Sequence, residues 1–147
     1  MRRFAIIAAV VSILCLSCAA TADVPSPLAV GNEAVGGAAL NSYTPGVEGG
    51  AGVNNIGLLI KTWGKVTYVD GSGSYFYIDD GTNRMDGSGQ MGIRVSCENL
   101  APGNSITAPA VDSYVMITCI SSTIVINTKI QPNLRPRRQD DIQLVSL

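Results

Sequence analysis

The amino-acid sequence predicts an all-β fold, a small five-stranded barrel preceded by an extended leader. Three observations carry this. From Ile56 onward apolar residues recur with a period of two, the period of strands. Gly64 falls inside the first of these strands, where glycine marks a bulge or a sharp bend. Glycine-rich stretches, Asp70-Gly71-Ser72-Gly73 and the longer Asp80 to Gln90, separate the strands that follow.

The chain opens with a different kind of segment. Arg2 and Arg3 precede an uncharged run from Phe4 to Leu16, and Ala20-Thr21-Ala22 supplies small residues. Residues 1–22 therefore read as a secretory signal peptide cleaved before Asp23. The apolar run is too short for a membrane span. An alternative is lipid attachment at Cys18, because Leu16-Ser17-Cys18 resembles a bacterial acylation site. Cys15 stands there where leucine is usual, which favours cleavage.

Residues 23–55 form a leader with seven glycines and three prolines. Such a composition does not bury enough surface to order itself. Leu28, Val30, Val35, Leu40, Tyr43 and Val47 are nevertheless spaced along it. The leader is either a strap across the barrel or a disordered tether.

Residues 56–147 hold the barrel and a short tail. The first predicted strand runs from Gly57 to Val69, with Leu58, Ile60, Val66 and Tyr68 on one face and Leu59, Lys61, Trp63 and Lys65 on the other. The second is Tyr75 to Asp79, with Phe76 and Ile78 inward and Tyr75 and Tyr77 outward. The third is Met91 to Cys97. Pro102, Gly103 and Pro109 exclude a long helix from the next segment, 98–112. The fourth is Ser113 to Ile120 and the fifth Thr123 to Ile130, with Ile124, Ile126 and Ile130 on one face. Pro132 and Pro136 limit further regular pairing, although Gln139 to Leu147 has room for a last short strand.

Five strands with a bent first strand suggest the OB-fold, a small Greek-key barrel. The stretches WGKVTYVD, YFYIDDG and GIRV resemble the first three strands of OB-fold domains. The chain is most similar to a group of exported bacterial proteins with such a domain. In those proteins a Tyr-Thr-Pro-Gly leader, here Tyr43 to Gly46, precedes the barrel, and an Arg-Arg-Gln-Asp-Asp-Ile ending, here Arg137 to Ile142, follows it. The resemblance spans residues 28–145 and carries no activity with it. The chain lacks the helix many OB-folds place between the third and fourth strands, so segment 98–112 is expected to plug the barrel.

OB-folds bind ligands on the face of their second and third strands. Here that face offers Tyr75, Tyr77 and Arg94, with Trp63 and Lys65 on a neighbouring outward face. Aromatic rings beside cations make a stacking platform, and each stacked base is worth roughly 1–3 kcal/mol. Sugars dock on the same rings through their C–H patches. The structural alternative is that the leader covers these rings and makes them a second small core.

Charge weighs against nucleic acid. Without Arg2 and Arg3, eight basic residues face eleven acidic ones, a net charge of −3. Phosphate-binding proteins usually carry a basic excess. Arg135, Arg137 and Arg138 are followed at once by Asp140 and Asp141, a self-compensating run. Asp70, Asp79, Asp80 and Asp86 offer hard oxygens for calcium, but their spacing does not match an EF-hand. No metal and no cofactor is expected.

Enzyme activity is not expected either. The chain has no histidine and no nucleophile–base pair at a useful spacing. Secreted OB-fold nucleases use Asp-Gly-Asp-Thr, which neither Asp70-Gly71-Ser72 nor Asp80-Gly81-Thr82 matches. Cys97 and Cys119 remain after export into an oxidising compartment, both on inward positions, and a disulfide between them is the expectation. The expected role is an exported, non-catalytic module, extracellular or periplasmic, that binds a saccharide-like polymer or a partner protein at or outside the cell surface. The alternatives are an assembly subunit joined by leader strand addition and a single-stranded nucleic-acid binder.

Overall fold

The computed structural model describes residues 25–146. The predicted signal peptide and the alternative lipidation residue Cys18 lie outside the described residues. The elements are β1 (Leu28–Ala29), a 3₁₀ turn at Asn32–Ala34, β2 (Leu59–Val69), β3 (Tyr75–Asp79), β4 (Ile93–Ser96), β5 (Tyr114–Ile126), β6 (Lys129–Arg135), a second 3₁₀ turn at Gln139–Asp141, and β7 (Ile142–Val145). No helix among them is long and apolar enough to cross a membrane.

The fold is all-β, as predicted, and its seven strands lie in the order β1-β2-β3-β4-β6-β5-β7. A further pairing of β2 with β5 closes a ring through β2, β3, β4, β6 and β5. The ring is narrowest at β4 and β6, which run parallel and pair Arg94 with Asn133 and Val95 with Leu134.

Gly64 is where β2 changes partner. Leu59 to Lys65 pair with β5, and Lys65 to Val69 pair with β3. The bend presses β2 onto β3, and a Cβ at Gly64 would meet the backbone of Asp79 at 2.9 Å. Any side chain there would have to displace a strand, so glycine is required by space rather than by dihedral freedom.

Three residues later, at Thr67, the ladder slips. Val66 pairs with Ile78 and Tyr68 with Tyr77, so Thr67 is an extra residue without a partner in β3. Such a bulge reverses the inward–outward alternation beyond it. Val69 therefore turns toward the core opposite Phe76, and Tyr68, expected inward with Val66, lies on the outer face beside Tyr77.

The fourth and fifth predicted strands are also corrected. Ser121 and Ser122 do not form a turn. They sit within β5, whose first part pairs with β2 and β7 and whose second part pairs with β6. The hairpin turn falls at Asn127 and Thr128, both with positive φ (49° and 68°), as the tightest hairpin turns demand. Ile130 accordingly leaves the face of Ile124 and Ile126 and pairs with Val125. Pro132 lies inside the β6 ladder opposite Thr123, despite the expectation that proline would limit pairing there.

The core is aliphatic. Ile60, Val66, Phe76, Ile78, Ile93 and Val95 meet Val115, Ile117, Cys119 and Leu134 inside the ring. Ile106 and Ala108 from segment 98–112 pack against this cluster, which is the plugging role expected of that segment.

The leader is a strap. Val35 is completely buried in the core cluster, and β1 pairs in parallel with Ile60 and Lys61. Two buried asparagines fix it. Asn32 donates its backbone N–H to Asp80 Oδ2 at 2.8 Å and accepts from Thr62 Oγ1 at 2.9 Å. Asn55 accepts from Gly36 N–H and Ser121 Oγ and donates to Ala34 O at 2.7 Å. Satisfying these polar groups is what permits their burial. Leu40 and Tyr43 remain exposed.

The expected disulfide is not present. Cys97 and Cys119 are both free thiols. Cys97 follows β4 and Cys119 lies in β5, and β6 runs between those strands. Strand alternation correctly placed Cys119 in the core but carries no information about which strand is next to which.

Candidate functional site

Three of the chain's five tyrosines meet on the outer face of β2 and β3. Tyr68, Tyr75 and Tyr77 form a near-equilateral triangle, with ring centroids 6.1 to 6.2 Å apart. Tilted and edge-on contacts at this separation are favourable for aromatic rings. The bulge at Thr67 completes the triangle by bringing Tyr68 to the outside.

Arg94 on β4 adds the cation. Its guanidinium carbon lies 3.6 Å from the ring centroid of Tyr75, a stacked cation–π contact. Among the described residues Arg94 has no ion-pair partner, and its Nε is shielded from water without a hydrogen bond. Ser96, two residues along on the same face, donates to Asn133 Oδ1 at 2.9 Å.

The members of the triangle differ in access. Tyr77 is 1% exposed. Its hydroxyl donates to Asp86 Oδ2 at 2.7 Å and lies 3.1 Å from Ser88 Oγ, both in the loop between β3 and β4. Burial pushes its pKa up to about 12, and Asp86 adds to the rise. Tyr77 therefore forms the floor, while Tyr68 and Tyr75 are half-buried and present ring surface to solvent. Burial also raises the pKa of Tyr75, reinforced by Tyr68 and Asp70 and opposed by Arg94.

Of the sequence-predicted site residues, Tyr75, Tyr77 and Arg94 come together, whereas Trp63 and Lys65 lie apart from them. Trp63 pairs with Met116 of β5 and is 51% exposed, so the leader does not cover it. It borders a groove of about 380 Å³ shared with Val30 and Lys61. Lys65 is held by Asp112 at 2.7 Å. Hydrogen bonding to Asp112 raises its pKa. Sequence reasoning expected Tyr77 to face solvent, although the loop between β3 and β4 covers it, and it placed Tyr68 on the wrong face. The signal for Tyr68 was the clustering of three tyrosines within ten positions, but no glycine or proline announced the bulge.

The acidic loops are occupied by their own chain. Asp79 accepts from the N–H groups of Gly81 and Asn83, and Asp86 accepts from Ser88 N–H as well as from Tyr77. Asp80 accepts from Asn32 N–H and from Thr82, and Asp70 accepts from Ser72. In the tail, Arg137 makes two side-chain bonds to Asp141, and Arg138 faces Asp140 at 3.9 Å. Those charges neutralise each other, as the order of residues suggested. No protein-family model matches this chain, and no curated protein matches it.

Proposed function

We propose that the protein is an exported, non-catalytic OB-fold module that binds a saccharide-like polymer through the outer face of β2, β3 and β4. The ring of five strands with its bent, partner-changing β2 supports the fold reading, since the OB-fold is a five-stranded, partly open barrel. The observation that carries the functional reading is Arg94 stacked on Tyr75 beside the half-exposed Tyr68. Aromatic faces receive the apolar C–H patches of sugars, and the cation and nearby hydroxyls hold their polar edges.

The non-catalytic reading rests on the absence of histidine and on the engagement of the acidic side chains in turn hydrogen bonds. The binding reading is favoured over assembly by leader strand addition. The leader already pairs with β2 of its own chain and buries Val35 in its own core.

Electrophoresis through gels containing soluble polysaccharides tests the proposal. Retardation by one of them should disappear in Tyr68→Ala/Tyr75→Ala and persist in Trp63→Ala. Retardation lost only in Trp63→Ala would move the ligand to the β2–β5 face and overturn the site.

A further inference from the structure

The platform holds one cation that makes no salt bridge among the described residues, and that specifies the ligand further. We infer that the site selects an acidic polysaccharide, a polymer whose sugars carry carboxylates, with Arg94 receiving the carboxylate while Tyr75 and Tyr68 receive the ring. This rests on the platform reading above.

Arg94 carries five N–H donors in a planar fork suited to a carboxylate. Among the described residues none of them has an acceptor, and Nε is closed off from water as well. Nε is closed to a ligand as it is to water, so the terminal nitrogens of the guanidinium are the donors that receive a carboxylate. The tyrosine stack holds the fork in one plane, so little freedom is lost when it engages a ligand.

The nearest acids are hydrogen-bonded within their own loops. Asp70 accepts from the backbone N–H and hydroxyl of Ser72, and Asp86 accepts from Tyr77 and Ser88. Hydrogen bonding from Ser72, with the charge of Arg94 adding to it, keeps the Asp70 carboxyl below its usual range, so Asp70 is an ionised neighbour of the guanidinium that is bonded to its own loop.

The same count separates acidic glycans from nucleic acid. A strand of nucleic acid presents a phosphate at every nucleotide and is held by neutralising several of them. Here Lys65 is paired with Asp112, Arg137 with Asp141, Arg138 with Asp140 and Lys129 with Glu48, Arg84 donates to Glu48 O, and Lys61, unpaired among the described residues, lies beside Trp63, away from the platform. On the platform Arg94 is the one cation among the described residues, a single point of charge recognition rather than the row of cations that tracks a phosphate backbone.

Affinity electrophoresis with three probes, polygalacturonate, neutral dextran and oligo(dT), tests the inference. The protein should be retarded most by polygalacturonate. Arg94→Gln should weaken that retardation by about tenfold or more, the equivalent of one charged hydrogen bond. Arg94→Lys, which keeps the charge and loses the fork, should fall between. Equal retardation by dextran, unaffected by Arg94→Gln, would overturn the acidic selectivity and leave the platform standing. Strongest binding to oligo(dT), with a steep salt dependence, would overturn it in favour of nucleic acid. Retardation by none of the probes would overturn the inference and the platform reading together. Thermal unfolding of each variant, expected within a few degrees of the parent, separates lost binding from lost folding.

Discussion

A Cβ placed on Gly64 would stand 2.9 Å from the carbonyl carbon and oxygen of Asp79. That contact marks the point where β2 leaves β5 and takes up β3, and the ring closes because one strand serves both sides. Gly64→Ala should therefore strain two strands at once. Overpacking of this kind destabilises by about 1–3 kcal/mol. Urea unfolding measures it, and a midpoint unchanged in Gly64→Ala would show that β2 and β3 are not in close approach.

The leader should behave as part of the folded unit. Removing the side chain of Asn32 leaves Thr62 Oγ1 without its buried acceptor, and removing that of Asn55 leaves Gly36 N–H and Ser121 Oγ without theirs. Each alanine substitution should cost about 1–3 kcal/mol. The two sites share no hydrogen-bond partner, so the double variant should be near-additive. A stability indifferent to both substitutions would return the leader to a loose tether.

Alkaline pH should destabilise the fold. Burial raises the thiols of Cys97 and Cys119 to about 11 and about 12 from 9.0, and the Tyr77 hydroxyl to about 12 from 10.0. These groups are charged only when deprotonated, so the unfolded chain releases their protons first. Their contribution is complete below about pH 9 and is lost as pH rises through 11 and 12. Urea midpoints measured from pH 8 to 12 should fall, and Cys119→Ala should flatten the decline. Because the thiolate is the reactive form, a thiol reagent at pH 8 should label the native protein slowly and both cysteines fully once it is unfolded. A chain without free thiols after unfolding would reinstate the disulfide.

Acid should act through Asp141. Burial opposes its ionisation, but hydrogen bonds from Arg137 prevail and hold its pKa below the usual value of 3.8. It contributes stability at neutral pH that disappears as pH falls through this lowered value. Arg137→Gln should move the acid-unfolding midpoint to higher pH. An unmoved midpoint would show the pair to be energetically idle despite the burial of Asp141.

What was legible in the sequence followed from local patterns. The period-two runs placed β2, β3 and β4 within two residues of their ends, and Gly64 was identified as a bend from its position alone. Three features were hidden because they depend on neighbours. The bulge at Thr67 lies just beyond the point where β2 changes partner, and Thr67 itself is an ordinary strand residue. Ser121 and Ser122 look like a turn, yet Ser121 is buried because Asn55 accepts its hydroxyl hydrogen. The separation of Trp63 from Tyr75 follows from the bend. Before Gly64 the outward residues of β2 face β5, and beyond the bulge they face β3. The hairpin turn does leave a readable signal in Asn127, since asparagine tolerates positive φ.

The location of the binding surface is tested most directly by backbone amide chemical shifts of the labelled protein titrated with a soluble polygalacturonate oligomer. Perturbations should concentrate at Tyr68, Tyr75 and Arg94 to Ser96, and leave Trp63 and Met116 unmoved. Perturbations centred on Trp63, Lys61 and Met116, with the tyrosine triangle silent, would contradict the account.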